Sequence, residues 1–145
     1  MLTCTFFGHG DCYDLDEKVL QKAIEALICR GVDTFYVGNH GHFDSLVFHC
    51  LLEMEKRYPS ISISVVLAYL PTQNPAHDLY HGYSIYPEIE EGLPRFAIER
   101  RNEWMIANAT YCLTFVNRTY GGAYKFAKRA RSKGLIMVNL GSAEL

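Results

Sequence analysis

Thr34-Phe35-Tyr36-Val37-Gly38-Asn39-His40-Gly41-His42-Phe43-Asp44 is the stretch whose reading decides the fold. It begins as a short apolar run with strand character, Phe35-Tyr36-Val37. It breaks at Gly38-Asn39-His40-Gly41 and resumes at Phe43 as a helical pattern. A strand that runs through glycines into a helix is where α/β proteins hold ligands. The glycines let backbone come close to a ligand, and the helix start offers unpaired N–H groups and a partial positive charge. The expected occupant of this turn is a phosphate-bearing, nucleotide-like molecule.

The same alternation continues on either side. Residues 2–7 form a continuous apolar and β-branched run, as in a buried parallel strand. Gly8-His9-Gly10-Asp11-Cys12 follows, with Asp14 as expected N-cap and Glu17 three residues on. Leu15, Val19, Leu20, Ala23, Ile24, Leu27 and Ile28 then recur at helical spacing up to Gly31. Residues 43–57 predict a second helix, stopped by Pro59, and residues 61–67 a third strand. A helix over 95–109, a strand over 111–116, a loop ending in Gly121-Gly122, a basic helix over 123–132 and a strand over 135–140 complete the series. Alternation of this kind predicts a single α/β domain over 1–145. Its sheet is a Rossmann-like, doubly wound parallel sheet of about five strands in the order 3-2-1-4-5, with helices on both faces. Ligands in such sheets sit at the carboxyl ends of the strands, near the switch between strands 1 and 4.

Residues 71–94 depart from the pattern. They carry prolines at 71, 75, 87 and 94, several aromatics and no steady period, and are expected to form an ordered lid or flank over the site.

Composition narrows the function. The net charge is -2, which argues against generic nucleic-acid binding. The five cysteines have no C-x-x-C spacing and read as free thiols. No secretory signal and no long apolar span is visible, so a cytoplasmic protein without membrane contact is expected.

Together these pieces resemble the SLOG superfamily. These are Rossmann-like nucleotide-binding domains related to the Lonely Guy phosphoribohydrolases and the DNA-processing protein family, and the chain looks most like a small bacterial stand-alone branch. The resemblance rests on Phe6-Phe7-Gly8-His9-Gly10-Asp11-Cys12, Phe35-Tyr36-Val37-Gly38-Asn39-His40-Gly41, Arg95-Phe96-Ala97-Ile98-Glu99-Arg100-Arg101-Asn102 and Tyr120-Gly121-Gly122-Ala123. It implies a nucleotide-derived ligand and a homodimer, paired through the helices near 43–57 and 95–109. The hydrolase members carry Pro-Gly-Gly-x-Gly-Thr-x-x-Glu, with a catalytic Glu and an Arg on the preceding helix. Aligned on Gly121-Gly122, this chain has Lys128 at the Glu position, and Arg101 best matches the helix Arg. Binding therefore leads over hydrolysis. If the chain is an enzyme, Arg101 with Glu99 or Asp11 as substitute carboxylate is the expected catalytic set.

The candidate ligand residues are Gly8, His9, Gly10 and Asp11 after strand 1, and Gly38, Asn39, His40 and Gly41 after strand 2. Arg100, Arg101 and Asn102 on the third helix join them, with Asn117, Thr119, Gly121 and Gly122 before the fourth. Arg100 and Arg101 diverge by about 100°, so one of them faces the site. Arg118 is a further loop donor. His9, His40 and His42 with Asp11 and Cys12 are metal-ligating types, but no compact motif gathers them and no metal or other cofactor is expected. Cys12 near His9 has the residue types of a nucleophile pair without an orienting third group.

Overall fold

The structure, a computed structural model, describes residues 1–69, 80, 82–87 and 96–145. Among the described residues, six strands and four helices follow in the order β1 (Leu2–Gly8), α1 (Glu17–Cys29), β2 (Val32–Val37), α2 (Gly41–Arg57), β3 (Ser62–Val66), β4 (Ser84–Ile85), α3 (Ala97–Ala107), β5 (Tyr111–Phe115), α4 (Gly122–Ser132) and β6 (Ile136–Asn139). The sheet runs β4-β3-β2-β1-β5-β6, with every neighbouring pair parallel. The five strands expected from the sequence stand in the expected order. The sixth, Ser84–Ile85, pairs with Val65 and Val66 at the edge. Two residues carry too little period to be read as a strand.

Alternation along β1 sends consecutive side chains to opposite faces. Phe6 stacks on Phe35 at 6.1 Å, within a core closed by Leu20, Ile24 and Leu27 of α1 and Phe43, Val47 and Leu51 of α2. Phe7 stacks on Phe126 of α4 at 5.8 Å, within a second core shared with Met105 and Ile106 of α3. Burying one such side chain is worth about 1.5–3 kcal/mol, so both layers are firmly held.

One sequence expectation is corrected. Asp16, not Asp14, caps α1: its backbone is extended and its side chain accepts from Lys18 N at 2.8 Å. The chain before it is occupied by turns, with Tyr13 N donating to Asp11 O and Leu15 N to Cys12 O, which delays the helix start by two residues. Asp14 instead accepts from Asn117 Nδ2.

Most of the 71–94 segment lies outside the described residues. Of the rest, Tyr80 and Tyr83 pack edge-on against Phe48 of α2, and Tyr83 donates its hydroxyl to Glu55. No described helix is long and apolar enough to cross a membrane.

Candidate functional site

The loops after β1, β2 and β5 are stitched together. His42 N donates to Gly10 O at 2.9 Å, and Gly41, at φ +89°, lies so close to Gly10 that a Cβ there would stand 2.7 Å from Gly10 Cα. On the other side His9 N donates to Phe115 O. Asn117 N donates to His9 Nε2 at 3.3 Å, which makes Nε2 the acceptor and places the ring proton on Nδ1. Arg118 grips Asp11 with two hydrogen bonds of 3.1 and 3.2 Å.

These loops wall a cleft of about 290 Å³ at the carboxyl ends of β1 and β5. Gly8, His9 and Gly10 form one wall, His40 and Asp44 a second, and Arg118, Gly121 and Gly122 a third. Arg101 and Asn102 close it from α3, while Phe7, Met105 and Phe126 supply an apolar floor.

Arg101 dominates its chemistry. The residue is 2% exposed. Nε donates to Asn102 Oδ1 at 2.8 Å. Nη1 donates to Asn39 Oδ1 and to Val66 O, both at 3.0 Å, and Nη2 to His40 Nδ1 at 3.4 Å. All four acceptors are neutral. Among the described residues no carboxylate stands within the 4.0 Å of an ion pair. A guanidinium held this way keeps its charge and, among the described residues, has no carboxylate in direct contact; Asp44 acts on it only through space.

Asp44 is the carboxylate nearest in effect. Burial pushes it up to about 6, against a backbone bond from His40 N at 3.0 Å and the Arg101 charge, which both pull it down. Its other oxygen, Oδ1, has no hydrogen-bond partner among the described residues and is not sealed from solvent. The His9 imidazole is held below its usual range by burial first and by Arg118 second. His40 is lowered too, by partial burial and then by Arg101. Asp11 lies below the usual carboxylate range because Arg118 bonds it.

The sequence candidates separate accordingly. Gly8, His9, Gly10, His40, Arg101, Asn102, Gly121 and Gly122 line the cleft. Gly38 and Asn39 lie behind it, where Asn39 anchors Arg101 and a Cβ on Gly38 would press on the same guanidinium. Asp11 and Asn117 stand at the rim, tied to Arg118 and His9. Gly41 packs on Gly10, and Thr119 is exposed away from the lining. Glu99 pairs with Lys125 at 2.7 Å, and with Arg100 it lines a separate groove between α3 and α4. The structure thus offers no place for Glu99 in the cleft, because the α3 face that enters it is the one carrying Arg101 and Asn102. Cys12 is buried and its thiol pushed up to about 11, the reverse of an activated nucleophile. Among the described residues no three His, Cys, Asp or Glu side chains converge as metal ligands. Asp44 is the site residue missed by sequence reading. Its signal was present: an acid in the first turn of α2, four residues after His40.

No protein-family model matches the chain, and no curated sequence is similar to it. An X-ray structure of DNA processing protein A (DprA) from Streptococcus pneumoniae is similar, with a TM-score of 0.70 at 17% sequence identity, over 100% of this chain and 52% of that one. The chain therefore spans about half the length of the protein it matches. At this identity the likeness is one of architecture: the chain has the Rossmann-like parallel α/β fold found in DprA.

Proposed function

We propose that the cleft binds the phosphate-bearing part of a nucleotide or nucleotide-derived small molecule, and that the chain acts as a binding or sensor domain of the SLOG kind. The observation that carries this reading is Arg101: a buried guanidinium at the base of a glycine-walled cleft, bonded among the described residues to neutral acceptors. Arginine suits phosphate because it stays charged and donates in fixed directions; here one Nη2 N–H remains for a ligand oxygen, backed by the full guanidinium charge. The N-terminus of α4, opening at Gly121-Gly122 onto the same cleft, adds backbone donors and a favourable dipole. Calorimetric titration with a panel of nucleotides and nucleoside phosphates tests it. Binding that weakens at least tenfold in Arg101→Lys supports the reading, and a panel without a single binder removes it.

A second reading, hydrolysis of a nucleotide N-glycosidic bond, is favoured by one observation. Asp44 is a desolvated carboxylate inside the cleft and titrates near neutrality, as a general acid needs. It is better placed than Glu99 or Asp11. Base release from nucleoside monophosphates, abolished in Asp44→Asn, would establish this reading; none in the wild-type protein would end it.

The similar structure is a DNA-processing protein, which raises nucleic acid as a partner. Its support here is thin. Lys125 and Arg129 on α4 are paired with Glu99 and Glu103, and the chain is acidic overall. Anisotropy of a labelled oligonucleotide at low salt distinguishes the two partners. Pairing of two copies through α2 and α3 belongs to the same SLOG reading, and a monomer at micromolar concentration would exclude it.

A further inference from the structure

We propose that the cleft takes a ligand carrying two adjacent anionic groups, a diphosphate rather than a monophosphate, with one group at Arg101 and the second at Arg118 beside the start of α4. This rests on the phosphate reading above and adds a second subsite to it.

Three observations converge on Arg118. First, its Nε is buried and, among the described residues, has no hydrogen-bond partner. A buried, unpaired N–H on a cationic group is costly, and an acceptor brought to it is correspondingly favourable. Second, its present ion-pair partner is exchangeable, while the Tyr120 ring 5.2 Å from its Cζ supports the guanidinium from one face. The Asp11 side chain is 61% exposed and that of Arg118 34%, so their pair is screened and of little net worth. An incoming anion displaces the carboxylate into water at small cost. Third, the backbone next to Arg118 is bare without a packing reason. A Cβ at Gly121 or Gly122 would meet nothing within 4 Å. Gly121 has the excuse of φ +90°. Gly122 has none: it opens α4, where glycine is the poorer helix former. What its missing side chain leaves is free approach to the first N–H groups of the helix.

The donor count fits two anions. Arg101 has five N–H groups, of which four are engaged, leaving one on Nη2. The Arg118 guanidinium, once released by Asp11, the His9 ring and the α4 backbone add donors around the same cleft. Arg101 enters the cleft from α3 and Arg118 from the loop before α4, so the two guanidinium groups stand on different walls and each can take its own anionic group.

Calorimetry in magnesium-free buffer with orthophosphate, pyrophosphate, AMP and ADP decides it. Pyrophosphate and ADP should bind about tenfold or more tightly than orthophosphate and AMP. Arg118→Gln should bring the diphosphates down towards the monophosphate level and weaken the monophosphates by a much smaller factor. Asp11→Asn, which frees Arg118 without touching the cleft lining, should tighten diphosphate binding. Equal affinity for mono- and diphosphates, or an equal loss of both in Arg118→Gln, overturns the second subsite. Diphosphate affinity unchanged or weakened in Asp11→Asn overturns the exchange. If none of the four probes binds, the phosphate reading itself has failed, an outcome distinct from monophosphate binding alone.

Discussion

Asp44 and Arg101 approach the same point above Gly38 without forming an ion pair. A Cβ built on Gly38 would stand 2.7 Å from Asp44 Oδ2 and 3.0 Å from both Cζ and Nη1 of Arg101. The missing side chain is what allows the carboxylate and the guanidinium into one corner of the cleft. Gly38→Ala should cost about 1–3 kcal/mol through overpacking. It should also weaken phosphate binding, since the guanidinium must shift. Urea denaturation and titration of the same variant check both. Unchanged affinity at reduced stability would show that the corner is structural only.

Arg101 is expected to matter to the fold as well as to the ligand. Arg101→Met leaves Val66 O and Asn39 Oδ1 without their donor, a loss of about 2–4 kcal/mol. Arg101→Lys keeps the charge but cannot reach Asn102, Asn39, Val66 and His40 together, so it should lose less stability than the Met variant. Melting temperatures of both variants against wild type order these effects.

Asp44 sets a pH dependence. Its folded value of about 6 lies above the ordinary 3.8. The folded state therefore carries a penalty above pH 6 that is relieved as the pH falls from 6 towards 3.8, and a shift of this size is worth roughly 3 kcal/mol. Asp44→Asn should be more stable than wild type at pH 7.5, with the gap closing near pH 4. It should also bind phosphate more tightly at pH 7.5, because a negative neighbour has gone. Paired urea titrations across pH 4–8 measure the gap; a constant gap would remove Asp44 as its source.

His9 acts in the opposite sense. Burial holds its folded value below the ordinary 6.5, so the unfolded chain takes up the proton first. Its contribution is complete above about pH 6.5 and is lost as the pH falls from there to the folded value. His9→Gln, which still accepts from Asn117 N, should flatten that fall. A wild-type and variant difference that does not change between pH 7.5 and 5.5 would contradict this.

The sheet was readable because its strands are long, apolar and punctuated by glycine. Phe6 and Phe7, Val37 and Gly38, and Phe115 before Asn117 mark strand ends that the structure reproduces within a residue or two. The three glycine loops were legible for the same reason. Ser84–Ile85 was not, because its pairing with β3 is a tertiary event with no local period. Nor was the choice between neighbours. Arg100 and Arg101 are alike in sequence, and only the packing of α3 buries the second. Asp44 escaped notice because an acid in a first turn reads as a helix-dipole partner, and its desolvation arises from groups remote in the chain.

Because β1 lies in the middle of the sheet, Cys4 pairs with Phe35 of β2 on one side and with Tyr111 of β5 on the other. The first pairing closes a short loop and the second a far longer one, whose closure is the slower and entropically dearer step. The β1–β3 half is thus placed to assemble early, with β5 docking onto it late. Gly8, His9 and Asp44 belong to the early half; Arg101 and Arg118 belong to the late one. The ligand proposed for the cleft would have no complete binding surface until the halves join, so its binding would act as a latch on the last folding step, slowing their parting and leaving the early assembly as it was.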